Sequence, residues 1–495
     1  MPGSAGRRPR WQTWTMSVSQ TPQRAPAPPD DGRGLWSAGR WNLTVGLVLT
    51  ITLVAFEALA VSTVMPIVAR ELGNLQLYGW VFTAFIIGSL IGIVVVGGII
   101  DRRGLGAPFA AGIGLFATGL IVGGLAPSME VLVGARFVQG LGAGCVPPIA
   151  YVAIGRSLPE RLRPQMFATL STAWVLPGVL GPAIAGAVGE AFGWRYVFLG
   201  LLPLIAISSG IAFPQVRRVG PAATVSETTA TLRDRLPLAL VVATGTGLLL
   251  AGLTSGQPVL LAGLGVVGAA MTVWALHRLT PPGTLRAARG LPAAVLVRGI
   301  ITFAFFGVDA YIALLLVEWR GLSPTQAGIS LTAATLTWTS GSWIQARLAP
   351  RFPPERFIRA GIVALIGGLA TFLLVLLPEV SPWLSVPTVG LAGLGMGLAY
   401  SPLALIVLRE AHGAEQGRAS SALSLTDSLG TALGIGITGA AVAAAVRQTG
   451  APGPGLAAGF LVAIAVACLG LLISGRLSVA PRRERAALAV PAADA

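Results

Sequence analysis

No lysine occurs in the 495 residues, and all 34 basic side chains are arginine. That reads as genome composition and points to no mechanism. Cysteine and histidine are nearly as scarce, with two of each. Cys145 and Cys468 fall in separate apolar runs, so no disulfide framework or metal site is readable from their spacing. His277 and His412 sit at the edges of such runs and read as solvated loop residues. Charge is thin as well, 11% of residues against about 25% in a soluble domain. There is no phosphate-cradling glycine loop, nucleotide motif or His/Cys/Asp cluster, which argues against ATP drive and against an enzyme. No metal and no cofactor are expected.

What is present is hydrocarbon. Hydrophobic residues make up 54% of the chain and the mean hydropathy is +0.78. The chain therefore reads as a membrane protein. A net charge of +15 would suggest nucleic acid in a soluble protein; here it reads as arginines flanking membrane spans on the cytoplasmic side. Residues 1–40 are rich in Arg, Pro, Ser and Gly and read as a disordered tail. They lack the apolar stretch of a cleaved signal peptide, and Met16 is an alternative start.

Apolar runs of about 20 residues suit helices crossing about 30 Å of hydrocarbon. Fourteen such runs are readable: 42–66, 77–99, 107–126, 128–153, 166–188, 194–213, 236–254, 257–276, 292–316, 325–346, 357–378, 384–408, 419–445 and 455–475. The pair within 236–276 also fits a single re-entrant element. With all fourteen spanning and the N-terminus cytoplasmic, inside segments hold 28 arginines and outside segments only Arg70, Arg195, Arg320 and Arg447. That contrast puts both termini in the cytoplasm. Arg136 and Arg298 lie within spans.

The runs divide as six, two and six. A tail (1–40), a first six-helix bundle (41–213), a linker carrying two extra helices (214–291), a second bundle (292–476) and a tail (477–495) follow. Two six-helix halves are a transporter plan, with the substrate site between them near the midplane.

Several short motifs lie at informative places. The loop after the second run reads GGIIDRRGLGAP, with the spacing Gly97-x-x-x-Asp101-x-x-Gly104. By itself it is a tight charged turn, in which Asp101 is free to bond backbone amides or an arginine. Arg136 lies several residues inside the fourth run, in ARFVQGLGAG with Gln139. It either snorkels to the headgroups or faces inward with a partner. The fifth run reads LPGVLGPAIAGAVG and holds Pro177, Gly178, Gly181, Pro182 and Gly186. Two prolines and several glycines predict a bent, closely packed helix.

Together these stretches resemble the major facilitator superfamily, and within it the fourteen-helix drug:proton antiporters. The Gly97–Gly104 spacing is similar to the superfamily's cytoplasmic loop signature, although Leu105 and Gly106 stand where basic residues are usual and Arg102 and Arg103 offer the charge instead. The resemblance implies that this loop latches the cytoplasmic side in the outward-facing state. Arg136, Gln139, Gly140 and Gly142 resemble the fourth-helix motif, whose arginine is associated with proton coupling. Gly181-Pro182 with Gly186 fits the antiporter motif, with Pro177 where glycine is more usual. FGWRYVFLGLLP resembles the opening of the sixth helix, though Trp194 and Arg195 also suit interfacial anchors. GRASSALSLTDSLGTALGIGITG resembles the thirteenth helix. The implied fold is all-α, two six-helix major-facilitator bundles plus a central two-helix insertion.

Three acids lie inside apolar runs. Glu57 is 14 residues past Leu43, about 21 Å along a helix, beyond snorkelling reach. It resembles the acid of the first-helix antiporter motif, nine positions before Pro66. The alternative is a permanently neutral carboxyl bonded to Ser62 or Thr63. Asp309, 13 residues past Leu296, lies at comparable depth in the run that opens the second half. It reads as a second proton site or a counter-charge for a cationic substrate. Asp427 either lines a cavity or pairs with Arg418. A carboxyl that meets burial and an arginine in alternate states is able to bind and release protons, so Glu57, Arg136 and Asp309 are the expected coupling residues. Trp174 and Trp338 are mid-span, facing lipid or stacking on a ligand.

The expected activity is proton-coupled export of small lipophilic or cationic compounds by a monomer in the cell membrane. A transporter of one metabolite, peptide or lipid is the second reading. A sensor or enzyme without transport comes last.

Overall fold

The structure, a computed structural model, describes residues 32–74, 77–221, 232–255, 257–411 and 415–478. Most of the two tails, Met16, residues 222–231 of the linker and His412 lie outside the described residues. All regular structure among the described residues is helical. Thirteen helical segments are long and apolar enough to cross a membrane. A further helix, α13 (Pro324–Leu348, 25 residues), is as long. Its Thr, Ser and Gln side chains lower its hydropathy, and it packs within the bundle against α15 (Ser385–Glu410) and α5 (Arg163–Thr172).

The first half runs α1 (Trp41–Leu72), α2 (Tyr78–Arg103), α3 (Gly106–Gly124), α4 (Met129–Ser157), α5, α6 (Val175–Ala191), α7 (Arg195–Leu199) and α8 (Leu201–Arg218). The insertion follows as α9 (Leu232–Thr254), a short α10 (Pro258–Leu260), a π turn over Leu261–Gly265 and α11 (Val266–Leu279). Residues 236–276 thus provide two separate segments that meet the length and composition needed to span. The second half runs α12 (Leu291–Leu314), α13, α14 (Pro354–Phe372), α15, α16 (Gln416–Thr449) and α17 (Gly453–Ile473). Residues 33–40, read as tail, fold against the start of α1: Leu35 is buried and its carbonyl accepts from Thr44 Oγ1 at 3.3 Å.

Proline places two breaks. Pro177 has no N–H for the carbonyl of Ala173, and the ladder switches there to three-residue bonds, Ala173 N to Leu170 O and Trp174 N to Ser171 O. The fifth run is therefore two helices, α5 and α6. Pro203 likewise has no N–H for the Leu199 carbonyl, and α7 stops at Leu199.

Lipid-exposed helices associate through close packing, since hydrocarbon solvates apolar side chains as well as a neighbouring helix does. Glycine sets the spacing. A Cβ at Gly140 of α4 would lie 2.1 Å from the Phe85 carbonyl oxygen of α2, and one at Gly397 of α15 would lie 2.1 Å from that of Trp338 in α13. In the first half α4 packs on α2 and α3, and α1 on α6 and α8. In the second, α12 packs on α16 and α17, and α15 on α13 and α14. The halves meet through α2 with α16, α4 with α16, and α5 with α13. The insertion lies against that seam, α9 packing on α2, α16 and α11.

Candidate functional site

Glu57 sits on the α1 face that packs toward α4, with 0% exposure; Arg136 on α4 has 3%. Arg136 Nη1 donates to Glu57 Oε1 and, at 2.7 Å, to Gln139 Oε1 one helical turn along. Its Nε donates to the Val81 carbonyl at 3.3 Å, and its guanidinium carbon lies 4.3 Å from the Phe85 ring centre. Arg136 therefore faces inward with a partner. Ser62 and Thr63 both donate to the Leu59 carbonyl, at 2.7 and 2.9 Å, and leave Glu57 to the arginine. Gln139 is buried with this pair. Glu57 Oε2 and Gln139 Nε2 are buried with no hydrogen-bond partner. A buried ion pair holds two charges out of water only while both remain, so a proton added to the free oxygen changes the whole group.

The Asp101 loop bridges the halves. Gly104 ends α2 at φ 75°, a conformation that favours glycine, and donates to the Ile100 carbonyl at 3.0 Å. Asp101 is buried one turn earlier. Its Oδ1 accepts from Gly417 N (2.9 Å) and from Arg156 Nη2 (2.9 Å), and its Oδ2 from Arg418 N (3.1 Å). The carboxylate thus caps the N-terminus of α16, where free amides and the helix dipole favour negative charge. Gly97 and Gly417 permit the approach: a Cβ at Gly417 would lie 2.7 Å from the Gly97 carbonyl. Arg102 and Arg103 are exposed at the helix end, and Arg156 makes the side-chain contact.

On α6, two of the motif glycines face α1. A Cβ at Gly181 would contact Phe56 and Leu59 of α1 at 3.8 Å, and one at Gly186 would contact Thr63 at 3.9 Å. Gly178 faces Thr335 of α13. Pro182 stands inside α6, and Pro177 sits just after the break. Trp174, at the break, is 47% exposed.

A second buried charge group joins four helices. Arg298 of α12 is 1% exposed and donates from Nε to Asp427 Oδ1 (2.8 Å), from Nη1 to the Tyr400 carbonyl (2.7 Å) and from Nη2 to Tyr151 Oη (3.0 Å). Tyr400 Oη donates to Asp427 Oδ2 at 3.0 Å, and the Tyr400 ring lies 3.0 Å from the Arg298 guanidinium carbon. Asp427 is thus partnered by Arg298 and not by Arg418, one of its two expected roles; Arg418 Nη1 lies 3.9 Å from Glu415. The carboxylate keeps 25% exposure. Trp338 packs beside the group, edge to face with Tyr400 at 5.2 Å and with Phe305 at 5.3 Å between ring centres. The signal for Arg298 was the same as for Arg136, a lone cation in an apolar run.

Asp309 is not brought to either group. It is half-buried at a small apolar cavity between α12, α14 and α15, lined by Phe305, Val308, Gly368 and Phe372 among others. Among the described residues no cluster of His, Cys, Asp and Glu comes together to hold a metal ion.

The contacts between halves gather toward the Asp101 end. Besides Asp101 and Tyr151, Ser171 Oγ donates to Ser342 Oγ and Trp343 Nε1 to Thr172 Oγ1, each at 3.0 Å. At the other end the polar contacts among the described residues stay within a half. Glu71 accepts from Arg195 and, at 2.8 Å, from the buried Trp194; Trp319 Nε1 donates to the Leu376 carbonyl at 3.1 Å. Trp194 is therefore an internal anchor of its own bundle.

The family model described as the Major Facilitator Superfamily matches residues 47–435. The methylenomycin A resistance protein of Streptomyces coelicolor is 29% identical over 90% of this chain and 93% of its own length. A multidrug efflux pump of Staphylococcus aureus is 23% identical, over 87% and 95%. Among solved structures, the human organic anion transporter MFSD10 superposes with a TM-score of 0.64 at 16% identity, covering 88% of this chain and 99% of that one, a likeness of fold. The chain belongs to the Major Facilitator Superfamily and is a multi-pass membrane transporter.

Proposed function

We propose that the protein exports small lipophilic or cationic compounds in exchange for protons, as a monomer in the cell membrane with both termini cytoplasmic. The observation that carries this is the Glu57–Arg136 pair, buried in α1 and α4, with one carboxylate oxygen left without a partner. The relatives named as a multidrug efflux pump and an antibiotic-resistance protein support the direction and the substrate class.

In this reading residues 41–213 and 292–476 are the two moving bundles and 214–291 the inserted linker pair. The halves touch at the Asp101 end, which the arginine distribution assigns to the cytoplasm, so the state described is closed inward. A proton arriving from outside adds to Glu57 Oε2. The neutral acid releases Arg136, and the loosened α1–α4 contact permits the change of access. Facing outward, the site takes up the proton and gives up substrate; facing inward, it gives up the proton and takes up substrate. Each charge moved across the membrane exchanges about 2.3 kcal/mol per 100 mV, so one proton per cycle supports substantial export. Asp309, half-buried apart from both ion pairs, is a second proton site.

A narrower range is the second reading, favoured because one relative is named for resistance to a single antibiotic. The test is efflux of ethidium and of chemically unrelated dyes from expressing cells, with and without a protonophore. Efflux of several dyes that stops with the protonophore is expected. Efflux that continues without a proton gradient contradicts the coupling, and efflux of none favours the narrow reading.

A further inference from the structure

We propose that Arg235, in the first turn of the inserted helix α9, is a positioning residue for the transport cycle: it braces the α2–α16 seam from outside both bundles and holds the Asp101 end closed. Arg235 is buried, and its Nη1 donates to the Val94 carbonyl of α2 at 3.0 Å. The same nitrogen would lie 3.0 Å from a Cβ built on Gly97, and the Ser421 Cβ of α16 would lie 2.4 Å from it. The guanidinium therefore sits at a point of close approach between α2 and α16. Ser421 Oγ closes this point by donating to the Ile93 carbonyl. Arg235 also acts electrostatically on two groups at the start of α16, the like charge of Arg418 and the Asp101 carboxylate that caps the helix.

The rest of α9 supports that placement. Leu238 and Val242 share one apolar cluster with Leu90 and Ile93 of α2 and Leu425 of α16. The insertion thus contacts one helix of each half along the seam. An arginine placed only to reach headgroups would turn its guanidinium to water; this one is turned inward onto a helix carbonyl beside a buried carboxylate. Opening the Asp101 end must separate α2 from α16. That movement breaks the cluster under α9 and takes the positive charge away from Asp101. The insertion, beyond adding two spans, then sets the balance between closed and open.

The test uses the full chain in lipid nanodiscs, with spin labels at Arg218→Cys and Arg351→Cys. Both sites are exposed, one in each half near the Asp101 end. Cys145 and Cys468 are replaced by serine. Arg235→Gln should raise the long-distance population at least several-fold, and Arg235→Lys, which keeps the charge, should restore most of the short one. The double variant D101N/R235Q should open no further than D101N, because both act on one contact. Leu238→Ala, which trims the apolar contact and leaves every charge in place, should shift the distribution the same way. Unchanged distances in R235Q or L238A, or fully additive effects of D101N and R235Q, overturn the proposal.

Discussion

Asp427→Leu removes the one carboxylate that balances Arg298. The guanidinium stays buried, facing only the Tyr400 carbonyl and the Tyr151 hydroxyl as neutral acceptors. Breaking a buried ion pair by deleting one partner costs about 3–5 kcal/mol. Asp427 is a quarter exposed, so water screens part of the loss and about 3 kcal/mol is expected. Arg298→Met strands the carboxylate instead and gives up the contact over the Tyr400 ring, again about 3 kcal/mol. Replacing both leaves no stranded charge. Paired apolar replacements of buried ions are often neutral, so the double variant should lose only about 2 kcal/mol, the worth of a desolvated cation–π contact. The interaction energy is then about 4 kcal/mol. Equilibrium unfolding in mixed micelles of rising dodecyl sulfate, followed by helical circular dichroism, measures all three. A double variant that loses about 6 kcal/mol, the sum of the singles, refutes the pairing.

Other consequences are as direct. Asp101→Asn weakens bonds from two α16 amides and Arg156; hydrogen bonds to a charged group are worth about 1.5–3 kcal/mol, so exchange protection at the Gly417 and Arg418 amides should fall about 10- to 100-fold, and unchanged protection contradicts the cap. Gly140→Ala pushes a methyl into the Phe85 carbonyl and should cost about 1–3 kcal/mol, whereas Gly134→Ala, which meets open space, should be neutral or stabilising in the same unfolding assay. The bond from Arg195 holds the Glu71 carboxyl below its usual value of 4.5. A depressed carboxyl contributes stability above its unfolded value and loses it as pH falls through the folded one. Hydrogen exchange at the start of α7 should therefore be slower in wild type than in Glu71→Gln at pH 6, with the difference shrinking below pH about 4.5 and at high salt.

Much of this was legible in the chain. Apolar runs located the helices because a span must satisfy its backbone internally, and α13 was among them as 325–346 despite its Thr, Ser and Gln side chains. A carboxylate and an arginine each embedded in hydrocarbon had to find partners, which is why Glu57 and Arg136 were both visible. Which partner an embedded charge finds was less visible. Asp427 lay near Arg418 in sequence, but its position on α16 faces α12, so Arg298 reaches it across 129 positions. Asp309 shares its depth with Glu57, yet rotation about α12 turns it to α14 and α15. Depth is set by counting along one helix; facing is set by how helices cross, and no single run carries that. Arg235 looked like an ordinary linker charge because the seam it covers is built from α2 and α16, far away on both sides.

Coupling in this protein rests on whether Glu57 carries the proton. The direct measurement is ethidium-linked proton movement in vesicles holding the purified protein and an internal pH dye, for wild type and Glu57→Gln. Wild type should move protons as ethidium is transported. Glu57→Gln should still exchange ethidium for ethidium while showing no linked pH change. A Glu57→Gln protein that still uses a proton gradient to concentrate ethidium contradicts the account.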